Sequence, residues 1–399
     1  MKKILILIKK IPRFTGYLFS MLYYYIRSFA YKKKYKDCWL FCERGIDAKD
    51  NAYWMFKYVI EKHPNVKAYY IIDYNSKDYE KVKSIGPTIE YKSIEHKVAL
   101  FNAKKLISSH TGFINIWSYK LYKILFDRKN KQKYIFLQHG ITQNNLSKIF
   151  NKSIDCIDCV ITATNDEYRS IKETKDYGFK DEVVLTGFAR FDQLKNCKTK
   201  NQILLMPSWR NYILTPSYKK QNNKDIDKFI ASNYFKTYNS LLNNKKLHKI
   251  LEVNNIKLIF QLHPEVIKFI SMFNVKNENI IISDISADTQ TLLKESKLLI
   301  TDYSSVFFDF AYMKKPIIYY QFDEKEFYSK HYEKGYFNHE KHGFGKVIYE
   351  EDILIDEIER IIENKYIIDD MYKSRIDNTF KFTDTNNCNR IFDEINKIN

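Results

Sequence analysis

Residues 298–309 read LLITDYSSVFFD. An apolar, β-branched run from Leu298 to Thr301 stops at Asp302, Ser304 and Ser305, and apolar residues resume at Val306. A short continuous apolar run is the mark of a strand buried on both faces, as in a parallel sheet. Small polar residues followed by a helical pattern read as the turn into a helix. The first N–H groups of a helix lack internal partners and its dipole is positive there, so such a turn can hold an anion. Helix capping by the same serines is compatible with that, because a capping hydroxyl can also reach a ligand.

The same grammar recurs along the chain. A first set of strand-like runs covers residues 38–43, 67–73, 104–110, 133–140, 159–164 and 182–188. Helical patterns at 50–63 and 166–178 lie between them, with Asn165 or Asp166 as candidate caps and Gly178 as a stop. After the polar, basic segment KNCKTKNQ (195–202), a second set covers 203–209, 257–264, 279–284, 297–303 and 316–322, and the tail from about 352 is helical. Strands alternating with helices predict an α/β chain with two doubly wound, Rossmann-type domains. The predicted division is a segment 1–35, a domain 36–196 and a domain 197–399 that ends in a helical tail.

In open parallel sheets, ligands bind beyond the carboxyl ends of the strands. Chemically capable residues should therefore follow the apolar runs. IFLQHG ends in Gln138, His139 and Gly140; VVLTGFARFD delivers Arg190 and Asp192; ILLMPSWR delivers Ser208 and Arg210; LIFQLHP delivers His263; and LLITDYSS delivers Asp302, Ser304 and Ser305. Two His, two Arg and a serine pair at strand ends point to a phosphorylated ligand. Arg pairs bidentately with phosphate oxygens. Pro264 fixes the chain after His263, and Gly140 permits close backbone approach beside His139. One histidine suits a general base on an attacking hydroxyl, and the other suits stabilisation of phosphate charge. No Walker A, G-x-G-x-x-G or G-x-S-x-G motif occurs, which excludes a P-loop NTPase and a hydrolase elbow.

The 399 residues carry a formal net charge of +18 and include 32 Tyr and 28 Phe. That charge implies anionic partners such as phosphates or a negative membrane leaflet. A chain that only bound nucleic acid would need a basic face but no polar constellation at strand ends, so no nucleic-acid partner is expected. Six Cys without a secretory signal fit a reducing compartment, and Cys156-x-x-Cys159 reads as the entry to a strand rather than a zinc or redox site. Residues 14–31, FTGYLFSMLYYYIRSFAY, precede KKKYK. They are too short to span a bilayer and suit a helix lying in the membrane interface or packed on the first domain.

At these motifs the sequence resembles the CDP-glycerol glycerophosphotransferase family, the polyol-phosphate transferases and polymerases of teichoic acid and capsule synthesis. The resemblance runs from about residue 36 to 385 and rests on DNAYWMFKYV, LQHG, TGFARFD, LLMPSWR, LIFQLHP and the block from Asp288 to Asp323. It implies a GT-B-like fold and a peripheral place at the cytoplasmic face of the cell membrane. An acceptor hydroxyl would attack the β-phosphorus of a CDP-activated polyol, glycerol first, and expel CMP. The acceptor would be lipid-linked or an oligosaccharide. His139 would be the base. His263, Arg210, Ser304 and Ser305 would hold the pyrophosphate, with Ser208 and Arg190 beside them and Asp302 and Asp309 orienting turn and helix. Many members carry Trp where Gln138 stands, which puts Gln138 and Gly140 on the acceptor side and leaves the polyol open. No cofactor is implied, since the CDP-polyol is a substrate, and the sequence does not settle a metal requirement. The alternative is a GT-B glycosyltransferase using a UDP- or GDP-sugar, which the fold alone does not separate.

Overall fold

A computed structural model describes residues 2–195, 197–213, 223–284 and 287–398, and side chains from Thr15 onward except those of Asn223 and Lys224. The linker residue Asn196 and the side chains of 2–14 in the expected membrane-associating segment lie outside the described residues.

The chain folds into two units. One comprises Met1–His139, Ser147–Asp192 and Asp384–Asn399, the other Gly140–Leu146 and Gln193–Thr383. This differs from the division expected at 196/197. The N-terminal segment is part of the first unit, residues 140–146 join the second, and the C-terminal helix returns to the first. One carboxylate anchors the start of the returning helix. Asp192 accepts hydrogen bonds from Asn387 N–H (2.8 Å), Asn387 Nδ2 (2.7 Å) and Cys388 N–H (2.8 Å). The two backbone N–H groups are orphan donors at the start of that helix.

The first unit is built on a seven-stranded sheet. Its strands are β1 (Trp39–Cys42), β2 (Ala68–Ile72), β3 (Thr88–Glu90), β4 (Lys105–Ser108), β5 (Lys133–Phe136), β6 (Cys159–Thr162) and β7 (Val183–Leu185). Their order is β3-β2-β1-β4-β5-β6-β7 and every pairing is parallel. The second unit holds β8 (Gln202–Leu205), β9 (Lys257–Phe260), β10 (Ile280–Ile282), β11 (Leu298–Thr301), β12 (Ile317–Tyr320) and β13 (Gly345–Ile348). Its order is β10-β9-β8-β11-β12-β13, again all parallel. Both sheets reverse their winding once, between β1 and β4 and between β8 and β11. Such a switch point leaves a crevice beyond the strand ends where ligands bind.

Burial follows the sequence logic. All four residues of β1, β4, β6, β8, β11 and β12 are buried, as helices on both faces require. Helix α1 (Lys2–Ser28) lays one face on the first unit: Tyr25 meets the rings of Phe101 and Phe126 at 5.6 and 4.7 Å, and Met21 is fully buried. Helix α2 (Asn51–Lys62) starts at Asp50, and α3 (Asn165–Glu173) is capped by Thr164, whose Oγ1 accepts from Glu167 N–H, rather than by Asn165 or Asp166. Gly178, with φ +70°, ends the short turn that follows α3. Cys159 is buried in β6 and burial pushes its thiol pKa up, while Cys156 stands in a left-handed conformation. Both are free thiols.

Candidate active site

In the second unit, the opening stretch folds as strand, turn and helix: β11, residues 302–305, then α4 (Val306–Tyr312). The turn is braced from within. Asp302, fully buried, accepts hydrogen bonds through Oδ1 from Ser208 N–H (2.8 Å), Ser208 Oγ (2.9 Å) and Tyr303 N–H (2.6 Å). Gln321 Nε2 donates to Asp302 O at 3.0 Å, and Gln143 Nε2 donates to Tyr303 O at 2.6 Å. Ser304 and Ser305 are left half-buried. Ser305 does not cap α4 with its side chain, and among the described residues neither serine hydroxyl has a hydrogen-bond partner. Gly140 lies against this turn: a Cβ there would sit 2.7 Å from Ser305 Oγ.

Arg210 points the other way. It is 1% exposed, donates through Nε and Nη2 to Asp323 (2.7 and 2.9 Å), and places Nη1 2.9 Å from Asp302 Oδ2, a charge contact more than an aligned hydrogen bond. Burial works against its charge, but Asp302 and Asp323 outweigh burial and hold Arg210 protonated. Tyr234, Tyr303 and Phe327 rings surround the guanidinium within 5.2 Å. Arg210 and Ser208, expected beside the phosphate, have protein partners in this structure. The guanidinium is committed to two buried carboxylates, and the single hydroxyl proton of Ser208 goes to Asp302. With Asp302, they fix the strand ends at the switch point. Asp309 is buried within α4.

His263 follows β9. Its Nδ1 accepts a hydrogen bond from Glu265 N–H at 3.2 Å, so the ring proton of the neutral form sits on Nε2. Trp209 stacks on the ring (5.9 Å, 18°) and His331 meets Trp209 edge-on (5.3 Å, 88°). Burial, then Arg210 and His263, lower the His331 pKa to about 4.

In the first unit, His139 follows β5 after a sharp turn at Gln138, which adopts φ +56°. Asn51, fully buried at the start of α2, donates to Leu137 O (3.2 Å) and Gln138 O (2.6 Å), and its Oδ1 accepts from Arg190 N–H (3.1 Å). The Gln138 amide points inward, donating to Ile161 O (2.8 Å) and Glu167 Oε1 (3.1 Å). Gln138, expected on the acceptor side, is 2% exposed, and its side chain holds the turn that leads into His139. Arg190 is buried, paired with Asp50 through Nη1 at 2.9 Å.

His139 is exposed as a residue, yet its ring stands beside charged and backbone groups that set its proton affinity. Burial, then Arg190, push the pKa down, to about 4, against a raising contact from the Ser109 backbone oxygen. The ring nitrogen facing that oxygen is the one that keeps its proton, which leaves a lone pair on the other. His110 stacks on His139 with centroids 4.4 Å apart and planes 10° apart. Sequence reasoning missed Asn51, His110, Asp323 and His331. His110 ends a predicted strand run and carried the same positional signal as His139.

Comparison with known proteins gives this arrangement a family. Residues 23–397 match the family described as CDP-Glycerol:Poly(glycerophosphate) glycerophosphotransferase. The chain belongs to that family. Among the family's relatives, the minor teichoic acid biosynthesis protein GgaB of Bacillus subtilis (strain 168) is 38% identical over 362 residues, 90% of this chain and 40% of that protein. The teichoic acid poly(glycerol phosphate) polymerase of the same organism is 24% identical over 92% of this chain and 49% of its own length. The chain thus spans less than half the length of these two relatives. Its fold matches the wall teichoic acid polymerase TagF with TM-score 0.68 and 18% identity, covering 98% of this chain and 97% of that one. The two Rossmann-like units are therefore of the GT-B-like type. Among the described residues, no group of three or more His, Cys, Asp or Glu is placed to hold a metal ion.

Proposed function

We propose that this glycerophosphotransferase-family chain moves a polyol phosphate, glycerol phosphate first, from a CDP-activated donor to a hydroxyl of a lipid-linked or oligosaccharide acceptor in teichoic acid or capsule-type polymer synthesis. The observation that carries the reading is the opposite set of the two histidines. The His139 nitrogen away from the Ser109 oxygen carries a lone pair, and burial, then Arg190, lower the ring's pKa. His263 accepts at Nδ1 and therefore offers an N–H at Nε2. A base and a donor are what phosphoryl transfer to a hydroxyl asks of a protein. The acceptor O–H gives its proton to His139 as its oxygen bonds to the β-phosphorus. The bond from that phosphorus to the bridging oxygen breaks, and CMP leaves with the electron pair. His263 Nε2–H and the hydroxyls of Ser304 and Ser305 stabilise the phosphate oxygens. Arg190, paired with Asp50, keeps His139 neutral, and Arg210, Ser208 and Asp302 keep the serine turn in place. Mass spectrometry of products from CDP-glycerol and CDP-ribitol with a lipid acceptor tests the reading. An adduct heavier by one polyol phosphate, with CMP released, is expected; transfer only from a UDP- or GDP-sugar would overturn it.

The reading includes a peripheral place at the anionic inner membrane surface. No described helix is long and apolar enough to cross a membrane. Helix α1 and the turn after it expose Phe19 (72%), Leu22 (48%), Tyr23 (55%), Ile26 (61%) and Phe29 (58%) on one stripe, followed by Lys32, Lys33 and Lys34. An apolar stripe beside a basic cluster suits the interface of an anionic bilayer. Deleting residues 1–34 is expected to move the chain from the membrane fraction to the supernatant; unchanged sedimentation contradicts this part.

A further inference from the structure

The second unit contains an open cavity of about 430 Å³ that the transfer reaction leaves without a role. Lys297, Lys314, Lys315 and Lys365 line it, with Thr199 and Tyr366, and no carboxylate is among its lining residues. Lys297 stands directly before β11, and Lys315 directly before β12. The cavity is therefore at the amino ends of these strands, while the serine turn leaves the carboxyl end of β11. The four residues of β11, about 13 Å of extended chain, lie between them. The larger cavity of the first unit, about 830 Å³, also has basic walls, but Asp127, Asp158 and Glu182 share them. There Lys123 pairs with Asp127 at 3.0 Å and Lys152 with Glu182. That cavity neutralises itself, and the smaller one does not.

A lysine near a helix end can serve only the helix, by meeting its last carbonyls. Lys315 does this for the helix Thr289–Glu295, donating through Nζ to the carbonyl oxygens of Leu293 (3.0 Å), Lys294 (2.6 Å) and Ser296 (2.9 Å). Those bonds use all three of its N–H groups. They do not balance its charge, and burial lowers its pKa to about 8. The other three lysines keep capacity for a ligand. Lys365, at φ +53° just past the helix Glu351–Glu363, has no side-chain partner among the described residues. Lys314 meets Asp377 at 2.6 Å, but the two side chains are 47% and 45% exposed, and such a pair exchanges readily. Lys297 gives one N–H to Asn201 Oδ1 (2.9 Å) and stands over the Tyr366 ring. Four ammonium groups around one hollow repel one another and focus a positive field into it, which an anion relieves.

The walls select the anion's class. Lysines are point charges on flexible stems, without the planar fork that grips one phosphate bidentately. Tyr366 is the one aromatic ring in the lining, and Lys297 covers a face of it, which disfavours a stacked base. We propose that this cavity binds a phosphodiester chain, and so holds phosphates of a polyol-phosphate polymer on the side of the second sheet away from the serine turn. The choice of polymer rests on the transferase reading above; the positive hollow does not.

The test titrates delipidated poly(glycerol phosphate) into the full chain by calorimetry, with CDP present and no CDP-polyol, so that no transfer occurs. Lys314→Gln/Lys365→Gln changes two exposed side chains and leaves Lys315 on its helix. It is expected to weaken polymer binding by about tenfold or more at low salt, and to make the slope of log K against log salt shallower by about 1.4. Lys314→Arg/Lys365→Arg should bind as the native chain does. CMP release with a single-unit acceptor should be native in both variants, which also shows that they fold. Unchanged polymer affinity and salt slope in the glutamine variant overturn the proposal. So does inorganic phosphate binding as tightly as the polymer, which would mark a free-anion site. So does a loss confined to vesicles of anionic phospholipid, which would mark a lipid site. A native chain that binds the polymer through these lysines yet releases no CMP would overturn the transferase reading and leave this site standing.

Discussion

Each unit carries a histidine three residues beyond a parallel strand, and the two meet opposite hydrogen-bonding surroundings. After β9 the backbone donates to His263 Nδ1, leaving Nε2 as a donor. After β5 the ring of His139 has the Ser109 oxygen on one side and two arginines near it, leaving a lone pair and a depressed pKa. Residue type and position along the strand are the same. What differs is whether the neighbouring backbone group is an N–H or a C=O, and that fixes the tautomer. In a fold used for many chemistries, the second partner of each histidine is what the proposed reaction relies on.

The widest separation between the two should come from His139→Ala. Turnover is expected to fall by about 10²–10⁴-fold with CDP affinity retained, since a base acts only as the hydroxyl is deprotonated. Steady-state CMP release checks this. Next is the scaffold under the second unit's turn. Arg210→Met leaves Asp302 and Asp323 buried without their cation and should destabilise the chain by about 3–5 kcal/mol, read from urea unfolding. Replacing all three with apolar residues should restore much of that stability but not the activity.

A smaller effect probes the contact between the Gly140 backbone and the serine turn. Gly140→Ala puts a methyl 2.7 Å from Ser305 Oγ and turns that hydroxyl away, for an expected loss of about tenfold in kcat/KM. Ser305→Ala should cost a similar amount, and the double variant little more than either, because both remove one interaction. Additive losses in that cycle would show that the two positions act separately.

A signature that needs no substitution is in pH. Burial lowers the pKa of His96 to about 4, of His331 to about 4 and of His339 to about 3. Below about pH 6.5 the unfolded chain takes up protons that the folded chain refuses until about pH 4, so stability is lost as pH falls through that window. Each ring contributes at most about 1.4 kcal/mol per pH unit. Thermal melts at pH 7.5, 6 and 5 should show a falling midpoint. A midpoint that rises on acidification would contradict the burial of these rings.

The expected strands of both sheets were legible because each is a run of apolar residues between turn signals. The two strands absent from that reading, β3 and β13, are edge strands. Thr88–Glu90 is only three residues long and follows Pro87; Gly345–Ile348 opens on Gly and contains Lys346. Half-exposed edges need no apolar run. The strand-end residues were legible as a set, but not the direction in which each points. Arg210 looks like a phosphate ligand until Asp323, 113 positions away, folds onto it. Gln138 looks like a recognition residue until the left-handed turn at its own backbone sends the amide to Ile161 and Glu167. Local pattern encodes strands and turns, while the partner of a buried charge is a tertiary fact.

The most direct measurement is calorimetry of CDP-glycerol binding to His139→Ala and His263→Ala, run beside CMP release by the same preparations. Native-like donor affinity with turnover lost is expected for His139→Ala, and weakened donor affinity with turnover lost for His263→Ala. The reverse pattern, or turnover preserved in either variant, would contradict the division of labour between base and donor.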